Sequence, residues 1–166
     1  MQNRPLFALP SDDAIEAAAA SNLRAELHDP AATVAFMLAG NAHVTFQSKR
    51  TETRFTYRVC RAKKALPGSL GEPPHFVFVL TGPDTYSYLG TIHDGRRYNH
   101  GQKSRIERYA PSATAFAWVW RHLSEGRMHH ELGVWHEGRC SRCGRRLTTP
   151  RSLAIGLGPT CEEAQA

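Results

Sequence analysis

The chain has 166 residues, is 41% hydrophobic and carries a formal net charge of +6, which suits one domain with a real core and a small appendage. No apolar run reaches the length of a membrane span, and the N-terminus lacks the charged and apolar regions of a secretion signal. One isolated cysteine and three grouped ones fit a reducing cytoplasm.

Residues 1–10 read as a loose arm. Ser11, Asp12 and Asp13 offer an N-cap and an acidic first turn to an alanine-rich helix over Ile15 to Leu27. Asp29 followed by Pro30 is an N-cap with proline at the first helical position. A second helix is therefore expected there, presenting Val34, Met37 and Leu38 and ending at Gly40 and Asn41. From His43 the period changes to two, with Val44 and Phe46 alternating with Thr45 and Gln47. Arg54 to Cys60 alternate again: Phe55, Tyr57 and Val59 share one face, and Arg54, Thr56, Arg58 and Cys60 the other. Residues 61–74, with Arg61, Lys63, Lys64 and several prolines and glycines, read as a mobile basic loop. His75 to Leu80 is nearly continuously apolar and is expected to be the central strand. After a turn at Gly82, Pro83 and Asp84, Tyr86 to Ile92 forms a further strand. Asp94 and Gly95 then turn the chain into Arg96 to His100. Pro111 opens a helix to about Ser124 that shares Phe116, Val119, Trp120 and Leu123 on one face, and Gly126 closes it. Trp120 reads as core. Met128 to His130 forms a linker, and Leu132 to Trp135 a short strand into the tail.

The tail carries the strongest chemistry. Cys140 and Cys143 form a C-x-x-C pair followed by Gly144, a spacing that turns two thiolates toward one ion. Cys161 follows Gly158, Pro159 and Thr160. Thr160 and Glu163 have capping-box spacing, so Cys161 is expected as the first helical residue, where the helix dipole favours a thiolate. A knuckle, a turn and a ligand on a helix N-terminus make half of a treble-clef arrangement. The place for a second helical ligand holds Ala164 and Gln165 instead. A fourth ligand must come from elsewhere: His136 is preferred, with His129, His130 and Cys60 as rivals. A redox pair or disulfide needs no third cysteine nearby, and no thioredoxin-like βαβ pattern accompanies this one. The set His136, Cys140, Cys143 and Cys161 therefore predicts a closed, structural Zn²⁺ site.

The string from Gly138 to Cys161 resembles a short cysteine domain of phage and bacterial proteins, a family of unknown function with the pattern G-x-C-x-x-C-G-R-x-L-T-x-P-x-S, then G-x-G-P-x-C. The stretch from Phe55 to Leu123 is also similar to the body of phage-encoded relatives, notably at Phe76 to Asp84 and Ala115 to Trp120. The resemblance implies a zinc module in a mobile-element setting and no activity. The expected architecture is α+β: an arm over 1–10, a body over 11–126 with N-terminal helices and a mostly antiparallel sheet of four or five strands packed with a helix, and a zinc-finger module over 127–166.

Charge is unevenly placed. Residues 41–110 hold twelve basic and five acidic side chains, a net +7, whereas residues 1–40 are net negative. A basic body suits nucleic acid or an acidic protein face. Arg58, Arg96, Arg97, Lys103 and Arg105 are the candidate contacts on the body. Arg142, Arg145 and Arg146 crowd the knuckle, where they either grip phosphates or offset the negative charge of a thiolate site. No Walker loop, G-x-G-x-x-G, H-E-x-x-H, G-x-S-x-G or carboxylate pair appears, so no enzyme class is indicated. Two expectations follow: a zinc-stabilised nucleic-acid-binding accessory protein, or a phage counter-defence protein, of anti-CRISPR type, that binds a host immune complex through a protein interface.

Overall fold

A computed structural model describes residues 25–165. The arm over 1–10 and most of the helix expected over Ile15 to Leu27 lie outside those residues. The last three residues of that expected helix, Ala25–Leu27, form strand β1 instead. Pairing with a distant strand overrides the local helix preference of alanine, glutamate and leucine.

Helix α1 spans Pro30–Met37, and Asp29 caps it by accepting a hydrogen bond from the Ala32 amide at 2.7 Å. Its buried side chains are Thr33, Phe36 and Met37, with Val34 and Leu38 half-buried at the edge. Then come β2 (Asn41–Ser48), β3 (Arg54–Arg61), β4 (His75–Gly82), β5 (Thr85–His93) and β6 (Arg97–His100). The chain continues through α2 (Pro111–Ser124), β7 (Leu132–His136), α3 (Pro150–Ile155) and α4 (Pro159–Glu163).

Among the described residues all seven strands join one sheet in the order β1-β7-β2-β3-β4-β5-β6, and every neighbouring pair is antiparallel. Strands β2 to β6 are the expected meander. At the β5–β6 turn, Asp94 and Gly95 have φ of 54° and 62°, the positive values of a type I′ turn, and the Arg96 amide donates to the His93 carbonyl at 3.0 Å. The sheet is larger than expected because β7 adds to β2 and β1 adds to β7. That shift makes β3 the central strand, where β4 was expected. It also means that β7, which falls in the 127–166 segment, is an interior strand of the body's sheet.

One face of the sheet is the core. Ala42, Val44, Phe46, Tyr57, Val59, Val77, Val79, Ile92 and Val134 pack there against Phe36 and Met37 of α1 and Phe116, Val119, Trp120 and Leu123 of α2. Each such side chain contributes about 1.5–3 kcal/mol of apolar burial. The polar tips are satisfied: Tyr57 donates to the Ser112 carbonyl, and Trp120 Nε1 to the Arg96 carbonyl, both at 2.7 Å. Trp118, by contrast, stays 38% exposed.

The other face has a different character. Cross-strand register puts His43, Arg58, Phe78 and Tyr88 in one row over four strands, with Asn41, Cys60 and Phe76 in the next. A bulge in β5 makes this possible. Val77 pairs with Gly90 but Phe78 pairs with Tyr88, so Leu89 reaches the core while Tyr88 turns to the opposite side. These side chains are half-buried, and none belongs to the core cluster that holds α1 and α2.

Three histidines, His43, His75 and His136, have their pKa lowered from the ordinary 6.5, in each case chiefly by burial. His75 donates from Nε2 to the Leu38 carbonyl at 2.9 Å, and its buried Nδ1 has no partner among the described residues. Below about pH 6.5 the unfolded chain takes up protons that the fold refuses, so stability is full above that value and falls as pH drops. Each such proton contributes at most about 1.4 kcal/mol per pH unit. Urea midpoints at stepped pH should fall below pH 6.5 and should fall less steeply in His75→Gln. An unchanged slope in that variant would remove His75 from the account.

Candidate metal centre

The tail leaves β7 through Gly138, whose φ is 69°. Arg139 and Arg146 then form an isolated antiparallel bridge. Inside that bridge the Cys140 amide donates to the Arg145 carbonyl at 2.8 Å and the Gly144 amide to the Cys140 carbonyl at 2.9 Å. Gly144 has φ of 76°, the left-handed conformation that closes the knuckle. The knuckle is tied to the sheet where the Asn41 amide donates to the Ser141 carbonyl at 2.7 Å.

Helix α3 follows, with Thr149 as N-cap and Pro150 at its first turn. Gly156 ends it with φ of 73°, and a Cβ there would lie 2.1 Å from Phe36 Cδ2. Helix α4 starts earlier than expected. Gly158 is its N-cap and Pro159 its first residue, so Thr160 sits inside the helix and makes no capping hydrogen bond. Proline's fixed φ suits the first helical position and sets this start.

This path brings Cys140, Cys143 and Cys161 together, with all three Sγ atoms within 4.8 Å of one another. All three are free thiols. Thiolates about 2.3 Å from a tetrahedral ion stand roughly 3.8 Å apart, so the cluster fits a metal ion. Burial raises the Cys140 thiol, but hydrogen bonds from the backbone of Cys143, Gly158 and Arg142 outweigh it and hold the group at about 7. Burial and its two thiol neighbours push Cys161 up to about 11. A bound cation would favour the thiolate form of all three.

His136 is brought to a different place. Its ring is 1% exposed, its Nε2 donates to the Leu153 carbonyl at 2.7 Å, and its Nδ1 accepts from the Gly138 amide at 3.0 Å. Both nitrogens serve the backbone, and His136 is not among the clustered ligands. It braces α3 against the end of β7, 5.3 Å from the Phe36 ring. The rivals do not replace it. His129 and His130 lie beyond the other end of β7, where His129 Nδ1 accepts from the Glu131 amide. Cys60 donates to Asn41 Oδ1 at 3.4 Å, and burial raises its thiol.

The basic candidates are spread out. Arg58 sits in the middle of the sheet's second face, its Nε donating to Asn41 Oδ1 at 2.9 Å. Arg96 and Arg97 are at the β5–β6 turn on the far edge, where Arg97 pairs with Asp94 at 2.9 Å. Lys103 and Arg105 are exposed in the connection after β6. Arg142, Arg145 and Arg146 are exposed on the knuckle. The last two line a pocket of about 410 Å³ together with all three cysteines.

Two further cavities went unseen in the sequence. Asn41, His43, Glu137, Arg139, Cys140 and Ser141 line one of about 120 Å³, where the second face meets the knuckle. The Ser141 hydroxyl there is buried and has no hydrogen-bond partner among the described residues. The other is an apolar groove of about 610 Å³ between α2 and the β2–β3 hairpin, walled by Phe46, Phe55, Trp118 and Leu132. Neither carries a local motif, because each is assembled from segments far apart in the chain.

Residues 132–165 match DUF6011, a family of unknown function. The DUF6011 match begins at the first residue of β7, so the matched unit takes in an interior strand of the sheet as well as the cysteine cluster. No curated protein and no solved structure matches the chain. Among the described residues, no helix is long and apolar enough to cross a membrane.

Proposed function

We propose that the protein is a zinc-stabilised accessory protein of phage or mobile-element type that binds nucleic acid against the second face of its sheet. The observation that carries this reading is the row His43, Arg58, Phe78 and Tyr88, which lies outside the helix-packed core. Aromatic side chains on a sheet face can accept stacked bases, and guanidinium groups beside them can meet the phosphates. Arg54 and Arg58 supply those groups, and neither forms an ion pair among the described residues. The net +7 of residues 41–110 attracts a polyanion to the same half of the molecule. Zinc is the metal that a knuckle of thiolates suits best.

The reading is tested by anisotropy titration of a labelled single-stranded oligonucleotide of mixed sequence at several salt concentrations. Wild-type affinity should fall steeply with salt, and Arg54→Glu with Arg58→Glu should flatten the log–log slope by about two. Phe78→Leu with Tyr88→Leu should weaken binding, at about 1–3 kcal/mol per stacked base, and leave the slope unchanged. Charge reversal at Arg96, Arg97, Lys103 and Arg105 should have a smaller effect, because those residues stand at the far edge. A wild-type protein that binds no oligonucleotide would end the reading.

A second reading, a counter-defence protein acting on a host immune complex, draws support from the apolar groove and the exposed Trp118 on its wall. A large complex retained after nuclease treatment, and released by Trp118→Ala, would favour it.

A further inference from the structure

We infer that the three-cysteine centre takes its fourth donor from outside the chain: a water molecule at rest, exchangeable for a small imidazole or thiol. The inference rests on the metal-binding reading of the cysteines and is independent of the nucleic-acid reading. It replaces the closed site that spacing alone predicts.

The argument is an accounting of donors. A thiolate, imidazole or carboxylate could complete the tetrahedron. Every histidine or cysteine weighed for the task is engaged or distant. His136 has both nitrogens on the backbone, His129 and His130 lie past the opposite end of β7, and the Cys60 thiol is held by Asn41. Residues 1–24 contain neither histidine nor cysteine. Of the nearby donors, Glu162 pairs with Arg151, and Glu137 and His43 line a separate small cavity that Cys140 also borders, but none of Glu137, Glu162, Glu163 and His43 joins the clustered ligand atoms.

What surrounds the sulfurs is a cavity of about 410 Å³. Apart from the cysteines, its walls include Arg145, Thr148, Thr149, Ser152 and Thr160, and no imidazole or carboxylate. Thr149 Oγ1 accepts from the Ser152 amide as a helix cap. Cys143 is exposed and Cys161 half-buried, so the ion would meet solvent on the side of these two residues. Three protein ligands with a solvent-facing fourth position are the arrangement of an exchangeable metal site. The chemistry is simple substitution: the entering donor's lone pair forms the new bond as water leaves with its own, and no atom changes oxidation state.

Cobalt substitution of the full-length chain tests this, because the d–d bands of Co²⁺ report the donor set while thiolate charge-transfer bands report the sulfurs. Addition of imidazole should shift the d–d bands saturably, with charge transfer and cobalt content unchanged. Glu162→Gln and Glu163→Gln should start from the wild-type spectrum, and sedimentation should show the same mass with and without cobalt. Zinc X-ray absorption on the wild type should give three sulfurs at about 2.3 Å and one lighter atom near 2.0 Å. Bands that stay fixed until cobalt is stripped would overturn the inference while leaving metal binding intact. So would an altered starting spectrum in either glutamate variant, or cobalt-dependent dimerisation, which would place the fourth donor on a second copy. A chain that takes up no cobalt or zinc would instead defeat the metal-binding reading itself.

Discussion

On the metal-binding reading, replacing Cys143 with serine should abolish metal uptake and unfold the knuckle and the two short helices behind it. Structural zinc is worth on the order of 10 kcal/mol to the unit it closes, and this one buries few apolar side chains of its own. Its own cluster of buried side chains is only Cys140, Leu147 and Leu157, with a few half-buried neighbours. Helices α3 and α4 have six and five residues, too short to persist alone. The loss should stop at the end of β7. That strand is paired with β1 on one side and β2 on the other, and Val134 lies in the main core. Elemental analysis should find the metal in the wild type and not in the variant. Hydrogen exchange should show protection lost after His136 and kept in β2 to β5. Full metal content in Cys143→Ser would refute the cluster as the site, and protection lost across β2 would refute the boundary.

Gly156→Ala should destabilise the fold by about 3 kcal/mol, from overpacking and a left-handed backbone together. The added carbon would lie 2.1 Å from Phe36 Cδ2 and 2.6 Å from Cε2, and Phe36 is 1% exposed with no room to retreat. Phe36→Ala alone should cost about 3–5 kcal/mol by leaving a cavity. The two are not additive. With the ring gone the alanine has space, and only the backbone cost of about 1–2 kcal/mol should remain. Chemical denaturation of the four proteins measures this coupling. If Gly156→Ala costs the same in both backgrounds, the contact between α1 and the tail is not the source of the effect.

Where short-range signals agreed with the final packing, the sequence was readable. Asp29 with Pro30 placed the start of α1, alternation placed β2 and β3, an apolar run placed β4, and the turns at Gly82 to Asp84 and at Asp94 with Gly95 bounded β5. Thr149 with Pro150 carries the same signature as Asp29 with Pro30, so α3 is legible too, although the ligand spacing alone suggests only a turn there. The three cysteines were visible as a set because ligand spacing is itself local. The rest depended on distant partners. Ala25–Leu27 has helix-favouring residues and becomes a strand only because β7 offers it an edge. His136 stands at a plausible ligand spacing, yet nothing nearby in sequence shows that the Leu153 carbonyl will claim its ring. The second face of the sheet was half legible: Arg58 and Cys60 were assigned to it correctly, but the Leu89 bulge that adds Tyr88 has no local mark.

The place of β7 also sets an order of events during synthesis. Among the described residues, strand β1 has β7 as its one neighbour in the sheet, and roughly a hundred residues separate them along the chain. As the polypeptide leaves the ribosome, β2 to β6 can pair hairpin by hairpin, while β1 waits and the outer edge of β2 stays bare. An unpaired edge is a template for association with other chains, and long-range pairing is slow to form. The nascent protein is therefore most prone to misassembly in the interval between completion of β6 and emergence of Leu132 to His136.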